Sequence, residues 1–600
     1  MNSRWRLAFC LAVVCLLCAF HVALKTGKIF ANPTWDAHDD VGQFWSEFAF
    51  QYGFAKFFAE HPVSDWSRLA RDRSVQHPDE INDWAEFTVL MDVPAGALYR
   101  WVKPAMPFHV WVVWYDCVLG SLTLFGLFLL ARALWRSDFA GLMAAAFYAA
   151  LYPSYGRTVK NLFLREDFAL PLIVLALWAT VRMWQEEKRV RWEIGAALLW
   201  LAALASWHLT QFVLAVGVGA TVLVYLGRGE TPRRLWFVLT LLVGAVAVPV
   251  LRAKQFYLSP TMCVLLALSL AVWINGGRKR ATMVFVCWLT VLLAAGVLLR
   301  TSYGEYAHVY QMFFYKLRFL GVKPSEPSLL PWEARCLWEG AFNTASLSDF
   351  WRYLLWCGPL ALASLALRKK EEGGRRKEGT GFWVFVVFAL LLVPLSWMVV
   401  RYFTFLAPAA AVLAAGVAAQ RLGWKLLAGA AAAWQLAVLD WQPLDRAPVK
   451  PDLYRPVVTW LRENTATNAV ILSGVSESPV WWAHTGRPTV LHSKFENRQI
   501  RERYREFLEA LYGSEAELAS WARKWGAQYF VYDLGCLVTG PDTWRYKADR
   551  LGTLPAACVA RRMAERAGEL QEFRLKFRSE RFAVFGVDRR GSVDFTGCNY

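Results

Sequence analysis

Apolar runs recur along this chain from residue 7 to residue 439. Most are about 17–25 residues long, the length an α-helix needs to cross the hydrocarbon core of a bilayer. About thirteen can be marked, near 7–24, 109–131, 138–152, 168–184, 192–207, 209–226, 234–250, 257–274, 282–299, 351–367, 381–400, 402–419 and 423–439. The 138–152 run is short enough for a partly re-entrant segment. Lipid offers no hydrogen-bond partners, so such runs have to be helical. With 56% hydrophobic residues, the chain is expected to be a polytopic α-helical membrane protein rather than a soluble one. Arg4 and Arg6 precede the first run as they would in a secretory leader, but His21, Lys25 and Lys28 follow where a small-residue cleavage site would lie. It reads as a retained anchor.

In a soluble protein a formal charge of +18 would point to nucleic acid. Here the basic residues crowd into alternate short gaps between runs: Arg132 and Arg136; Lys188, Arg189 and Arg191; Arg228, Arg233 and Arg234; Arg278, Lys279 and Arg280; Arg368 to Lys377; Arg421 and Lys425. With a cytoplasmic N-terminus every one of those gaps falls inside, as the positive-inside rule requires. The expected partner is thus the bilayer and not nucleic acid. The expected organisation is a membrane module over 1–440, with an outer loop at 25–108 and a late outer loop at 300–350, followed by a soluble non-cytoplasmic domain over 441–600.

That last region has the composition of an α/β domain, with helices expected over 457–464, 500–512 and 515–524 and strands over 469–472 and 529–532, alternating as in βαβ layering. In the first outer loop, Phe44, Trp45, Phe48, Phe50, Tyr52, Phe54, Phe57 and Phe58 fit an amphipathic helix lying in the membrane interface. Cys336, Cys536, Cys558 and Cys598 lie in outer segments and could form one or two disulfides, whose pairing the spacing leaves open. The chain has no Cys-x-x-Cys pair, His-Glu-x-x-His or Walker loop, so neither zinc nor nucleoside triphosphate chemistry has positive support.

Ionisable residues beside membrane spans are costly to place and are functional candidates by default. Four groups stand out at the expected outer face: Asp36, His38, Asp39, Asp40 and Glu47; Arg157, Lys160, Arg165, Glu166 and Asp167; Glu305, His308, Lys316 and Arg318; and Arg401. Such a layout is similar to that of glycosyltransferases of the GT-C type, which draw their sugar from a polyprenyl phosphate. The tail of that donor lies in lipid and its phosphate at the surface, so the site needs cations for the leaving phosphate and a carboxylate for the acceptor.

The run Arg157-Thr-Val-Lys-Asn-Leu-Phe-Leu-Arg165-Glu166-Asp167-Phe-Ala-Leu-Pro171 resembles the second-loop signature of the protein C-mannosyltransferase family named after the worm dumpy-nineteen protein. Similar segments follow in the same order: Trp207-His208-Leu-Thr-Gln211-Phe, Ala307-His308, Arg401 through Pro408, Arg487-Pro488, and His492-Ser-Lys-Phe495-Glu496 with the later Arg501-Glu-Arg503. Ser46-Glu47-Phe-Ala-Phe resembles the family's Arg-Glu-Met-Ala-Phe, although Ser46 replaces the arginine and Gln51-Tyr-Gly-Phe replaces the Arg-Thr-Glu-Met that follows. The resemblance implies transfer of mannose from a dolichyl or other polyprenyl phosphate to C2 of a tryptophan indole in a polypeptide. No cofactor is implied, the lipid-linked sugar being a substrate. It assigns Glu47 as catalytic base and Arg401 and Arg165 as phosphate partners, with His308, His208 and Gln211 as further polar contacts and Glu166 as the residue orienting Arg165. Two alternatives stay open. A GT-C transferase acting on a hydroxyl or amide would use Asp39 or Asp40 as base or metal ligand, though no metal-ligand pattern beyond that pair is seen. A transporter or assembly factor would carry more charge inside its spans, where Asp116 is the plain instance. The expected membrane is the endoplasmic reticulum in a eukaryote or the plasma membrane in a prokaryote.

Overall fold

The computed structural model describes residues 3–186, 190–228, 234–273, 278–299, 307–371, 379–439, 441–444, 451–537 and 543–588. Each of the thirteen apolar runs is helical. Among the described residues, seven helices are long and apolar enough to cross a membrane, from Trp5–Phe30 to Val400–Ala419, or up to eight if Leu347–Leu354 and Cys357–Arg368, bent by 80°, count as one span. That is fewer than about thirteen because several runs make shorter helices, such as Asp138–Ala149, Leu235–Ala247 and Leu422–Ala437. Parts of three basic gaps, including Lys188, Arg233 and Lys377, lie outside the described residues, as do Glu305 and Cys598.

The helices pack around Val400–Ala419, which is 94% buried. Small residues allow the close approach: a Cβ on Gly416 would lie 2.3 Å from the Trp135 ring, whose Nε1 donates to Val412 O at 2.8 Å. Lys25, expected just outside the first span, lies within the helix Ser3–Phe30 and is fully buried. Its Nζ meets Asp167 Oδ1 at 2.7 Å, Thr158 Oγ1 donates to the other oxygen at 2.6 Å, and Asp116 Oδ1 accepts from Leu164 N at 3.2 Å. The charge inside the bundle is therefore a paired network rather than Asp116 alone.

After Pro451 the chain forms a four-stranded sheet of β1 (Ile471–Leu472), β2 (Tyr529–Asp533), β3 (Phe573–Arg578) and β4 (Phe582–Val587), in the order β1-β2-β4-β3. β1 runs parallel to β2, and the crossover passes through the helices Ser478–Thr485, Arg498–Leu511 and Glu515–Lys524, as the alternation of elements leads one to expect. The antiparallel pair β3 and β4 was not expected; β4 also pairs with β2. Among the described residues Cys336 and Cys558 are buried and form no disulfide, while the side chains of Cys536 and Cys598 lie outside them.

The aromatic run of the first outer loop does form a helix, Ser46–Glu60, but not one lying on lipid. Phe50, Phe54 and Phe58 are buried against Phe87 and Trp482, and a Cβ on Gly53 would lie 2.2 Å from the Trp482 ring. These rings face protein on both sides, between the helices Asp92–Val102 and Ser478–Thr485.

Candidate functional site

Glu47 sits in the first turn of the helix Ser46–Glu60. Ser46, where the family pattern has arginine, takes a φ of 54° and donates its N–H to Ser476 O at 3.1 Å, which fixes the start of that helix on the C-terminal region. Glu47 Oε1 accepts from Lys494 Nζ at 2.5 Å. The lysine side chain is 3% exposed and the glutamate side chain 28%, so the carboxylate is the more open of the two. Burial opposes the charge on Glu47, but Lys494, Arg401 and Arg165 outweigh it and hold the carboxyl well below the usual carboxylate range.

Arg165 opens its helix after a constrained link, in which Leu162 takes a φ of 62° and Leu164 N is held by Asp116. Its Nη2 lies 3.7 Å from Asp92 Oδ2. Glu166 does not orient Arg165, contrary to expectation. Its Oε2 accepts from Arg157 Nε at 2.6 Å and its Oε1 from Arg401 Nε at 2.8 Å, so it bridges two other arginines. Arg401 accordingly is not a lone surface cation. It is ion-paired, and it lies over the faces of Trp207 (5.3 Å) and Phe342 (5.6 Å).

The loop carrying Lys494 adds Glu496, whose carboxyl Lys494 holds below its ordinary value despite burial. Arg501 Nη1 clamps this loop through Phe495 O (2.8 Å) and Glu496 O (2.9 Å), and Arg503 reaches His77 O and Asp79 in the first outer loop. The Arg-x-Arg pair is thus structural. Burial takes His208 down to about 3 even though Glu496 pulls the other way. His208 and Gln211 line a cavity of about 20 Å³ with Lys254, room for roughly one water. The buried His308 meets Phe495 edge-on at 6.1 Å.

Asp39 and Asp40 are engaged elsewhere. Asp39 pairs with Arg455, while Asp40 accepts from Tyr52 Oη at 2.7 Å and Lys56 Nζ at 3.2 Å and lies 3.6 Å from His484 Nδ1. Among the described residues, no group of three or more His, Cys, Asp or Glu side chains is disposed to hold a metal ion.

The fold thus brings Glu47, Arg165 and Arg401 into one electrostatic cluster, with His208 joined through Glu496. Asp39 and Asp40 fall outside it. Sequence reasoning missed Lys494, Glu496 and Asp92 as members. Lys494 and Glu496 lie inside a segment already matched to the family, so a signal existed; Asp92 has none in its run Val89-Leu-Met-Asp92-Val.

Residues 17–314 match the family model described as "Dpy19: Q-cell neuroblast polarisation". The C-mannosyltransferase dpy-19 homolog of Drosophila melanogaster is 22% identical over 188 residues, a match taking in 29% of this chain and 21% of that relative's length. Among solved structures, the archaeal oligosaccharyltransferase AglB of Archaeoglobus fulgidus, in complex with an inhibitory peptide and a dolichol-phosphate, superposes with a TM-score of 0.65 at 14% identity, over 92% of this chain and 72% of that one. The Archaeoglobus fulgidus oligosaccharyltransferase tethered to an acceptor peptide gives 0.60 at 14% identity, over 92% and 71%. At these identities the likeness establishes the fold. The chain belongs to the Dpy19 family and is a polytopic helical membrane protein with the GT-C fold.

Proposed function

We propose that the protein transfers mannose from a polyprenyl-phosphate mannose to C2 of a tryptophan indole in a polypeptide, at the outer face of its membrane. The observation that carries this reading is the Glu47 carboxylate, ionised, partly exposed, and set among Lys494, Arg165 and Arg401. In the reaction the bond between sugar C1 and phosphate oxygen breaks and its electron pair leaves with the polyprenyl phosphate, where Arg165 and Arg401 stabilise the growing charge. Indole C2 forms the new bond to C1. The cationic ring then loses its C2 proton to Glu47, yielding the C-mannosyl tryptophan. A carboxyl with a depressed pKa is a weak base, yet it suffices, because a protonated aromatic carbon is a strong acid and charge must be stabilised more than basicity supplied.

The reading is supported by membership of the Dpy19 family and by a fold shared with a protein that was solved with a dolichol-phosphate and a peptide. It assigns 1–440 as the membrane catalytic module and 441–600 as a soluble domain on the non-cytoplasmic side, with the N-terminus cytoplasmic. Since Lys494 and Glu496 come from the second part, catalysis needs both. The test is to incubate the purified protein with polyprenyl-phosphate sugars and a Trp-x-x-Trp peptide and to locate added mass by fragmentation. A hexose that stays on tryptophan through fragmentation supports the reading; one that is stripped off moves the acceptor to a hydroxyl or amide.

A further inference from the structure

Asp92 and Arg165 face each other in this cluster with hydrogen-bonding capacity unused. Among the described residues, both carboxylate oxygens of Asp92 lack a hydrogen-bond partner, as do Nε and Nη2 of Arg165. The side chains are 0% and 3% exposed. A buried carboxylate and guanidinium ordinarily close to about 2.7–2.9 Å and bond through both oxygens. This pair stands at 3.7 Å, beyond hydrogen-bond reach. Buried polar groups in folded proteins are nearly all partnered, so two complementary orphans side by side call for a third party that satisfies both. Asp92 feels the lack: burial pushes its pKa up to about 6 against the pull of Arg165 and Lys494, and the Glu47 charge adds to the push.

The missing partner must present anionic acceptors to Arg165 and at least two donors, next to those acceptors, to Asp92. A glycosyl phosphate does both, with phosphate oxygens at C1 and hydroxyls on the adjoining carbons. We propose that Asp92 reads the sugar of the donor, accepting hydrogen bonds from its C2 and C3 hydroxyls while Arg165 holds the neighbouring phosphate. An indole N–H supplies one donor and leaves the second oxygen unpaired, so the acceptor is the poorer fit. This inference rests on the transferase reading above.

The test compares parent and Asp92→Asn with polyprenyl-phosphate mannose, its 2-deoxy and 3-deoxy analogues, and polyprenyl phosphate lacking a sugar. A hydroxyl bonded to a charged acceptor is worth about 10–100-fold in affinity or kcat/KM. In the parent each deletion should therefore cost that much beyond its intrinsic effect on reactivity. In Asp92→Asn the same deletions should cost less than about threefold beyond it, and comparing the two proteins cancels the intrinsic part. The variant should bind mannosyl lipid more weakly but sugarless lipid at least as tightly as the parent, since removing a carboxylate beside Arg165 favours phosphate; that arm also shows that the variant folds. Asp92→Ala should behave alike. Equal binding of mannosyl and sugarless lipid by the parent, or equal deletion costs in parent and variant, overturns the proposal. A parent that binds mannosyl lipid and shows the deletion costs in binding, yet leaves tryptophan unmodified, sinks the transferase reading while the Asp92 assignment stands.

Discussion

Replacing Lys494 with methionine tests whether the lysine sets the protonation of Glu47. Unit charges near 4 Å interact by roughly 4 kcal/mol at an effective dielectric of about 20. Because 28% of the Glu47 side chain is open to water, we discount that to about 1.5–3 kcal/mol, which is about one to two pK units. In the parent, Glu47 has a lowered folded pKa. Its contribution to stability is thus present above the unfolded carboxylate value and lost as pH falls through the folded one. Without Lys494, burial is opposed by Arg401 and Arg165 alone, so the folded pKa rises. The acid limb of a kcat/KM profile should move to higher pH by about one to two units, and the acid loss of stability should move with it. Lys494→Arg should restore most of the parental profile. The assay is thermal unfolding followed from pH 8 down to pH 1.5, with transfer to a tryptophan peptide at subsaturating donor measured as far down that range as the protein stays folded. A uniform fall in rate with an unmoved limb, in a variant that melts like the parent, would refute the argument and place Lys494 on the substrate instead.

Glu47→Gln should lose about 10²–10⁴-fold in rate while donor binding and fold persist. Asp39→Asn and Asp40→Asn should be milder, their partners being Arg455, Tyr52 and Lys56, and chelators should leave the parental rate unchanged; loss on chelation, or an active Glu47→Gln, would move the chemistry to the aspartates. Arg401→Ala should raise KM for the donor more than for the acceptor, and Arg401→Lys should recover only part, because the planar fork that meets Glu166 and stacks on Trp207 is lost; unchanged donor KM in both variants would make Arg401 an anchor. Lys25→Met should cost about 3–5 kcal/mol by leaving Asp167 buried and unpaired, and adding Asp167→Asn should recover much of it; equal melting temperatures for Lys25→Met and parent would contradict the buried pair.

Hydropathy made the membrane bundle readable because apolar length is a local property, and each of the thirteen runs is helical. The number of crossings was less readable. Helices such as Asp138–Ala149 and Leu235–Ala247 fall short of a bilayer's thickness, and length alone does not say what they do. In the helix Ser46–Glu60, composition misled: an aromatic face suited to the membrane interface is equally suited to Trp482 and Phe87, and only tertiary contact separates the two. Lys25 is a similar case, since a lysine at the end of an apolar run reads as an emerging segment until Asp167 is found beside it.

Glu47, Arg165 and Arg401 were legible as charges at the rims of spans, where placement costs enough to need a reason. Their partners were not. Glu166 adjoins Arg165 in sequence, but successive residues leave a helix about 100° apart, so it serves Arg157 and Arg401 instead. Lys494 is 447 residues from Glu47, and nothing in the chain between them marks the pairing. Asp92 is harder still, because what distinguishes it is missing bonds, a property of the folded surroundings and not of any motif. On the proposed reading, the membrane module supplies the charges that meet a lipid phosphate, while a distant loop, clamped by Arg501 and Arg503, supplies the cation beside the Glu47 carboxylate. Because Lys494 can act only when that loop is docked, an undocked C-terminal region would leave Glu47 without its largest stabilising charge.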